Sequence, residues 1–306
     1  MENVRNSGRA VEISEYKKGV VFTALSFLIW GCLPIYWKLL SPVNSLAIMF
    51  YRMIMAFVFV FIIVGIKYDL KIVFKPLKNI RTAGLFFLAG LLISVNWGLY
   101  IWMVNSDMVI QTSLGYYINP LISCLIGAIF FREKITSYKA AAFTLSAIGV
   151  TLALFDAVQS PIFALALAIS FAFYGAIKKF LHENPIVSLL FETMFMLPLV
   201  VPVLLYLETH GNGAFGNASP FQYILLLLCG AVTAIPLILY GAGAIRIPMM
   251  TLGMIQYISP TLGFLMGIFI FHEEFSATSA GTFAFIWMGV AVFSYGSWKE
   301  AAIEHC

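Results

Sequence analysis

The sequence predicts an all-α integral membrane protein with ten transmembrane helices, arranged as two inverted five-helix repeats with both termini in the cytoplasm. Three observations predict this fold class. Hydrophobic residues make up 61% of the 306 residues and charged residues only 10%, against about 45–50% and about 25% in soluble globular proteins. Ten apolar runs alternate with short polar segments, and each run is close to the roughly 20 residues that cross the hydrocarbon core. The chain also matches itself at an offset of 140 residues.

The ten predicted spans follow from the apolar runs in chain order. The first run is too long for the core of a signal peptide and no small-residue cleavage site follows it, so we expect it to remain as a span. Polar tails are predicted at 1–18 and 299–306, the first repeat at 19–156 and the second at 157–298. The predicted spans are 19–40, 43–66, 82–104, 108–131, 137–155, 161–181, 186–207, 221–244, 248–271 and 277–298.

The basic residues predict the orientation. Sixteen of the 18 Lys and Arg residues fall in segments that share one side of the membrane, and Lys38 and Arg52 are the exceptions. Loops with such an excess of Lys and Arg face the cytoplasm, so both termini are predicted inside. The formal net charge of +4 is then explained by topology, and no nucleic-acid partner is predicted.

The internal match keeps rare residues in one register. Gly90 falls on Gly230, and Tyr117-Ile-Asn-Pro120 falls on Tyr257-Ile-Ser-Pro260. The loop Phe131-Arg-Glu-Lys134 falls on Phe271-His-Glu-Glu274. Five spans in each half is an odd number, so the second half must run opposite to the first. Inverted repeats are typical of secondary transporters, which bind substrate near the midplane between the halves.

Six sequence motifs stand out: Trp30-Gly-Cys-Leu-Pro-Ile-Tyr-Trp-Lys38, Asn96-Trp-Gly-Leu-Tyr-Ile-Trp102, Val104-Asn105, Ser113-Leu-Gly-Tyr-Tyr-Ile-Asn-Pro120, Phe191-Glu-Thr193 and Gln256-Tyr-Ile-Ser-Pro-Thr261. Together they resemble one known family, the RarD branch of the EamA family in the drug/metabolite transporter superfamily. The resemblance implies ten helices in two inverted halves and export of small molecules across the bacterial inner membrane. In that branch the name derives from chloramphenicol sensitivity, and relatives export amino acids and other metabolites. One departure is Tyr51, where the resemblance leads us to expect a His.

Three charged residues inside the spans need an explanation, because a charge in the bilayer core costs a few kcal/mol or more. Arg52 lies roughly 13 Å below the outer surface and Glu192 roughly 9–10 Å from the inner surface, at 1.5 Å per residue. Glu192 is either a coupling site for protons or cations, or a contact for a substrate amine, or one member of a buried ion pair with Arg52 or Lys178 that holds the halves together. Lys178 faces the cavity or extends to the cytoplasm.

Two prolines predict bent helices near the midplane. Pro120 and Pro260 remove helical hydrogen bonds and free the carbonyls of Tyr116 and Gln256, as in many transporter sites; a kink needed only for packing is the alternative. Trp37, like other aromatic residues at span ends, is assigned to the interfacial belt. The residues predicted to line the substrate cavity are Asn96, Trp97, Tyr100, Tyr116, Tyr117, Asn119, Lys178, Tyr240, Gln256 and Tyr257.

The sequence therefore predicts a secondary transporter that exports small metabolites, amino acids or drug-like solutes by alternating access. Its predicted partners are a small-molecule substrate and the lipid bilayer, and a homodimer is left open. The four Cys residues show no metal-ligand spacing and no P-loop is present, so no cofactor or metal is predicted. The alternatives are a sensor or assembly factor without transport and, less favoured, a membrane enzyme, which would need clustered carboxylates.

Overall fold

The computed structural model describes residues 2–41, 43–105, 109–155, 162–269 and 277–303, and within these ranges it contains helices and no strands. This confirms the all-helical fold. A single-turn 3₁₀ helix, Lys75–Lys78, follows the short α-helix Leu70–Val73. The α-helices are α1 (Glu2–Leu39), α2 (Ser45–Lys67), α3 (Leu70–Val73), α4 (Ile80–Asn105), α5 (Val109–Phe130), α6 (Ser137–Phe155), α7 (Ile162–Leu181), α8 (Pro185–Thr209), α9 (Pro220–Ala244), α10 (Met249–Ile255), α11 (Ile258–Phe269) and α12 (Ala277–Ile303).

Eight helices in the described ranges are long and apolar enough to cross a membrane. They are α1 (from Ile13), α2, α4, α6, α7, α8, α9 and α12, and α5 contributes a shorter apolar segment, Gly115–Phe130. Apolar side chains cover much of the outer surface, for example Ile66, Leu227 and Phe269. Exposed apolar surface of this extent fits contact with lipid rather than water. The chain is a multi-pass membrane protein.

The structure differs from the sequence-based boundaries in three places. The first helix begins at Glu2, so the polar N-terminal segment is helical and continuous with the first span. The predicted loop between the second and third spans contains α3 and the 3₁₀ turn. The predicted span 248–271 is two helices, α10 and α11, separated at Gln256 and Tyr257. The predicted counterpart of the Arg132 loop, 271–274, lies outside the described residues.

Short capping sequences start several of these helices. The side chains of Asn44 and Asn184 accept hydrogen bonds from the first backbone N–H groups of α2 and α8. Ser219 and Gln222 form a capping box at the start of α9. These side chains satisfy N–H groups that have no partner within the helix, so each helix begins where the polar connection ends.

The helices pack in pairs that correspond between the two halves of the chain. In the internal sequence match, α1, α2 and α4 correspond to α7, α8 and α9, α5 corresponds to α10 with α11, and α6 corresponds to α12. Accordingly, α1 packs on α9 as α7 packs on α4, and α2 packs on α9 as α8 packs on α4. Contacts of α5 with α7 correspond to those of α1 with α10 and α11. Three further pairs, α2 with α8, α5 with α10 and α6 with α12, join corresponding helices directly.

Glycines permit the closest of these approaches. A Cβ atom on Gly149 of α6 would meet Thr282 and Ile286 of α12, and one on Gly289 of α12 would meet Ala142 and Ser146 of α6. These two sets of contacts are related by the same 140-residue offset. In addition, Gly90 of α4 lies against the backbone of Glu192 in α8, and Gly230 of α9 lies against the backbone of Met55 in α2.

Candidate functional site

One cluster of polar side chains inside the helices, the Lys178 cluster, consists of Lys178, Glu192, Ser188 and Tyr174. The Lys178 Nζ donates to Glu192 Oε1 at 2.6 Å and to Ser188 Oγ at 2.8 Å. Ser188 Oγ in turn donates to Glu192 Oε1 at 2.6 Å, and the Tyr174 hydroxyl donates to Oε2 at 3.1 Å. Lys178 is 3% exposed and Glu192 is 1% exposed. The two opposite charges therefore compensate each other in a fully buried network.

This network decides which partner Glu192 has. The sequence leaves Arg52 and Lys178 as candidates, and the structure pairs Glu192 with Lys178. Both residues belong to the second half of the chain, on α7 and α8, so the ion pair joins consecutive helices and does not tie the halves together. Depth along the helix axis is similar for Arg52 and Glu192, but a shared depth does not place two side chains on facing surfaces.

A second cluster, the Arg52 cluster, consists of Arg52, Trp37, Trp97, Tyr100 and Tyr116. The Arg52 Cζ lies 3.8 Å from the ring centroid of Trp97 and 5.0 Å from that of Trp37. The Tyr100 and Tyr116 rings meet edge to face with centroids 5.9 Å apart. Trp37, which the sequence assigns to the interfacial belt, also contacts the charge of Arg52.

A small cavity of about 10 Å³ borders both clusters. A cavity of this size holds about one water molecule. Its wall includes Trp97 from the Arg52 cluster and Glu192 from the Lys178 cluster. The remaining lining residues are Met53, Ala56, Gly90, Ile93, Ser94, Leu189, Thr193, Met196 and Leu237. The space between the clusters is thus too small for a metabolite in this conformation.

A larger apolar groove of about 500 Å³ lies elsewhere, on the outside of the bundle between α1 and α9. Cys32, Tyr36 and Pro236 are among its lining residues, and nearly all of its surface is apolar. Such a surface offers no charged group for orienting a polar solute. We therefore place the candidate site at the two polar clusters and not in this groove.

The two predicted asparagines are buried and hydrogen-bonded to α7. The Asn96 amide donates to the Leu167 carbonyl at 2.8 Å and to Ser170 Oγ at 3.0 Å. The Asn119 amide donates to the Ala168 carbonyl at 2.7 Å. In this conformation both side chains hold α4 and α5 to the same turn of α7.

The tyrosines and the glutamine of the second half meet near the broken helix. The Tyr240 ring stacks on Tyr174 with centroids 5.9 Å apart and an interplanar angle of 13°. The Gln256 amide donates to Ser123 Oγ at 3.5 Å, and the Tyr257 hydroxyl donates to the Tyr117 carbonyl at 3.4 Å. This last contact joins two residues that correspond in the repeat.

The two prolines differ in their effect on the backbone. Before Pro260 the helix is interrupted at Gln256 and Tyr257. The backbone N–H groups of these two residues donate to the carbonyls three residues earlier, at Gly253 and Met254. At Pro120, α5 is one continuous helix from Val109 to Phe130. The same Tyr-Ile-x-Pro pattern therefore occurs in two backbone conformations.

Side-chain hydrogen bonds join neighbouring helices at both ends of the bundle. At the Arg246 end, the Glu133 carboxylate accepts from the backbone N–H groups of Met249 and Met250 at the start of α10. In the same place, Lys179 Nζ donates to the Ile247 carbonyl at 2.6 Å. At the opposite end, the Tyr51 hydroxyl donates to Glu208 at 2.8 Å, joining α2 to α8. Tyr51 is the position where the resemblance leads us to expect a His.

Three members of the clusters, Ser188, Tyr174 and Trp37, were not predicted from the sequence as site residues. Ser188 precedes Glu192 by four residues, and Tyr174 precedes Lys178 by four. Residues four apart share a helix face, so this spacing could have identified Ser188 as a partner of Glu192. No comparable spacing signal connects Trp37 on α1 with Arg52 on α2, because their contact depends on how the two helices pack.

Residues 17–155 match the EamA-like transporter family. An uncharacterized transporter of Bacillus subtilis, YojE, is 40% identical over 297 residues, covering 95% of this chain and 99% of that protein. Protein RarD of Streptomyces exfoliatus is 34% identical over 288 residues, covering 94% of this chain and 91% of that protein. Protein RarD of Escherichia coli is 34% identical over 287 residues, covering 92% and 96%.

A solved crystal structure shares the fold. It aligns with a TM-score of 0.69 at 15% sequence identity and covers 90% of this chain and 97% of the other. Similarity at this identity supports the arrangement of helices alone. The sequence relatives extend over nearly the whole chain at 34–40% identity, which confirms the resemblance found in the motifs. The chain belongs to the EamA-like transporter family, as a RarD-like member.

Proposed function

We propose that the protein is a secondary transporter that exports small metabolites, amino acids or drug-like solutes across the bacterial inner membrane by alternating access. Its substrate site lies between the Arg52 cluster and the Lys178 cluster, near the midplane and between two inverted five-helix halves. The second half includes α10 and α11 as one interrupted span. Both termini face the cytoplasm.

The reciprocal packing of α6 and α12 is the observation that carries this proposal. Gly149 lies against residues 282 and 286, and Gly289 lies against residues 142 and 146. A higher number on α6 thus meets a lower number on α12, so the two helices are antiparallel. A two-fold axis that exchanges two antiparallel helices must be perpendicular to them. In a bilayer such an axis lies in the membrane plane, the relation expected of inverted repeats.

The charge distribution supports the orientation. Glu133, Lys179 and Arg246 meet at one end of the bundle, and this end carries basic residues that the sequence assigns to the cytoplasmic side. The opposite end has the Tyr51–Glu208 contact. The cavity between these ends has a volume of only about 10 Å³, so alternating access requires one end to open to admit a solute.

Accessibility of the central cavity tests alternating access. In a protein without its native cysteines, Ser94→Cys places a thiol on the cavity wall, and Ser146→Cys places one in the buried α6–α12 contact. We expect a membrane-impermeant maleimide to label the first thiol when added from either side of the membrane, and the second from neither. Labelling of Ser94→Cys from one side only would contradict alternation.

Flux through proteoliposomes tests the transport itself. Purified protein is reconstituted and the release of trapped radiolabelled amino acids is compared with that from protein-free vesicles. Flux above the protein-free level supports a transporter, whereas a sensor, an assembly factor or a membrane enzyme would give none. If Glu192 couples proton movement, Glu192→Gln abolishes the response of flux to a pH gradient while the protein stays folded; an unchanged response assigns Glu192 a structural role.

A further inference from the structure

Arg52 carries a partly buried positive charge for which the described part of the chain supplies no negative partner. No carboxylate among the described residues lies within ion-pairing distance of it. Its Nε is inaccessible to solvent and has no hydrogen-bond partner there. Glu192 borders the neighbouring cavity, but its carboxylate forms an ion pair with Lys178 and not with Arg52.

The aromatic partners compensate this charge only in part. A guanidinium over a Trp ring gains about 0.5–1 kcal/mol at exposed sites and about 2 or more when desolvated. A cation in the bilayer interior costs several kcal/mol, by most scales more than that gain. Replacing Arg52 by an apolar residue would avoid this cost, so the ligand-free protein has no structural need for the charge at this position.

The geometry around Arg52 suits a flat anionic group. Trp97 and Trp37 lie against the guanidinium, and its Nε donates a hydrogen bond to no described residue. A guanidinium presents its donors in a rigid fork that matches the two oxygens of a carboxylate. Tyr100 and Tyr116 stand close to the charge, and Tyr116 is 42% exposed, so the aromatic surface extends from Arg52 toward the outside of the bundle.

We propose that Arg52 binds the carboxylate of a small aromatic or otherwise apolar solute, whose body packs against Trp37, Trp97, Tyr100 and Tyr116. This inference rests on the proposed function and names the substrate class of the same site. The ligand supplies the negative charge that the chain lacks, and the aromatic rings supply contact area without fixing one ligand shape. A lipid phosphate could supply the same charge, so the test separates the two sources.

The test uses 3-phenylpropanoate and its neutral amide, 3-phenylpropanamide, which differ chiefly in charge. Binding to purified protein is followed by the fluorescence of the tryptophans beside Arg52. We expect the acid to bind at least tenfold more tightly than the amide, Arg52→Gln to abolish that preference, and Arg52→Lys to retain part of it. Arg81→Gln is the matched control, because it removes one exposed charge at the start of α4, and it should keep the preference.

The melting temperature of Arg52→Gln without ligand shows whether Arg52 has a structural role. We expect its melting temperature to equal or exceed that of the wild type, since the substitution removes an unpaired charge; a lower melting temperature would assign Arg52 a structural role and overturn the proposal. Equal affinity for acid and amide, or an unchanged preference in Arg52→Gln, would overturn it as well. The proposal also falls if phosphatidylglycerol added to phosphatidylcholine vesicles displaces the acid from Arg52.

Flux measurements separate this inference from the proposed function. If proteoliposomes transport amino acids at the same rate with Arg52→Gln and the acid does not compete, transport stands and the carboxylate site is refuted. If the acid binds in the way expected but no solute tested is transported, the Arg52 site stands and the proposed function is refuted. Competition by the acid that disappears in Arg52→Gln supports both.

Discussion

The buried ion pair of Lys178 and Glu192 gives the sharpest test of how the second half is held together. The change is a double-mutant cycle of Lys178→Met, Glu192→Gln and the combination. Each single substitution leaves one buried charge without its partner, because Lys178 is 3% and Glu192 1% exposed. Breaking a buried pair from one side costs about 3–5 kcal/mol, whereas replacing both members with neutral residues of similar size is often nearly neutral.

The expected magnitudes follow from the hydrogen bonds. Glu192→Gln retains an acceptor for Ser188 and Tyr174 but loses the 2.6 Å contact with Lys178, so we expect a loss of about 3 kcal/mol. Lys178→Met leaves the Glu192 carboxylate without its partner, and we expect the free energy of unfolding to fall by about 3–5 kcal/mol. The double variant should lose no more than about 2 kcal/mol, which gives a coupling energy of several kcal/mol.

Reversible unfolding in mixed micelles of dodecyl maltoside and SDS, followed by circular dichroism, measures these differences. Additive losses in the double variant would refute the ion-pair argument, because they would mean that the two charges do not interact. Proteoliposome flux with the double variant then separates its roles. Full activity assigns the pair to structure, and a folded but inactive double variant assigns it to the transport cycle.

Three further predictions concern the glycine contacts between helices, the Glu133 contact with α10 and the Trp97 side chain beside Arg52. Gly90→Ala and Gly230→Ala each place a methyl group against a facing backbone and should lower the unfolding free energy by about 1–3 kcal/mol. Glu133→Ala removes the acceptor for the N–H groups at the start of α10, so hydrogen exchange of the 249–255 segment should accelerate about tenfold or more. Trp97→Ala should reduce flux of aromatic solutes more than that of aliphatic ones in proteoliposomes, without affecting membrane insertion.

Each of these has an outcome that contradicts it. Gly98 has open space around it, so Gly98→Ala should be neutral or stabilising by up to about 1 kcal/mol; equal losses at Gly98 and Gly90 would show that close packing is not the cause. Glu183 lies in the connection between α7 and α8, and Glu183→Gln serves as the control: hydrogen exchange in α10 that is no faster in Glu133→Ala than in Glu183→Gln would refute the role of the Glu133 contact. Uniform loss of flux for all solutes would mean that Trp97→Ala damages the structure.

Hydropathy was sufficient to locate most helices. The predicted spans 43–66 and 221–244 agree within two residues with Ser45–Lys67 and Pro220–Ala244, and the predicted span 137–155 agrees with α6 at both ends. The length of an apolar run indicates how many residues lie within the lipid, and this run ends where a polar loop begins. It does not report where helical hydrogen bonding ends, which is why the helix that begins at Glu2 was treated as a tail.

The site was harder to predict because it depends on which helix faces which. The depth of Arg52 and Glu192 follows from counting residues along their spans, but rotation about each helix axis and the identity of the neighbour do not. Lys178 became the partner of Glu192 because α7 and α8 are adjacent, and Trp37 reached Arg52 through the packing of α1 near α2. The aromatic residues were found from the sequence; their grouping around a single charge was not.

The interrupted helix has a consequence for the energy landscape of the protein. Tyr257-Ile-Ser-Pro260 follows a break in the backbone, whereas Tyr117-Ile-Asn-Pro120 continues a helix. Nearly the same local sequence thus adopts two shapes within one molecule, and only the surrounding packing distinguishes them. The local sequence therefore permits both shapes, and the packing around each segment selects one of them. In the inverted repeat proposed above, an exchange of the two shapes would move the helix break from the second half to the first, and so toward the opposite face of the membrane.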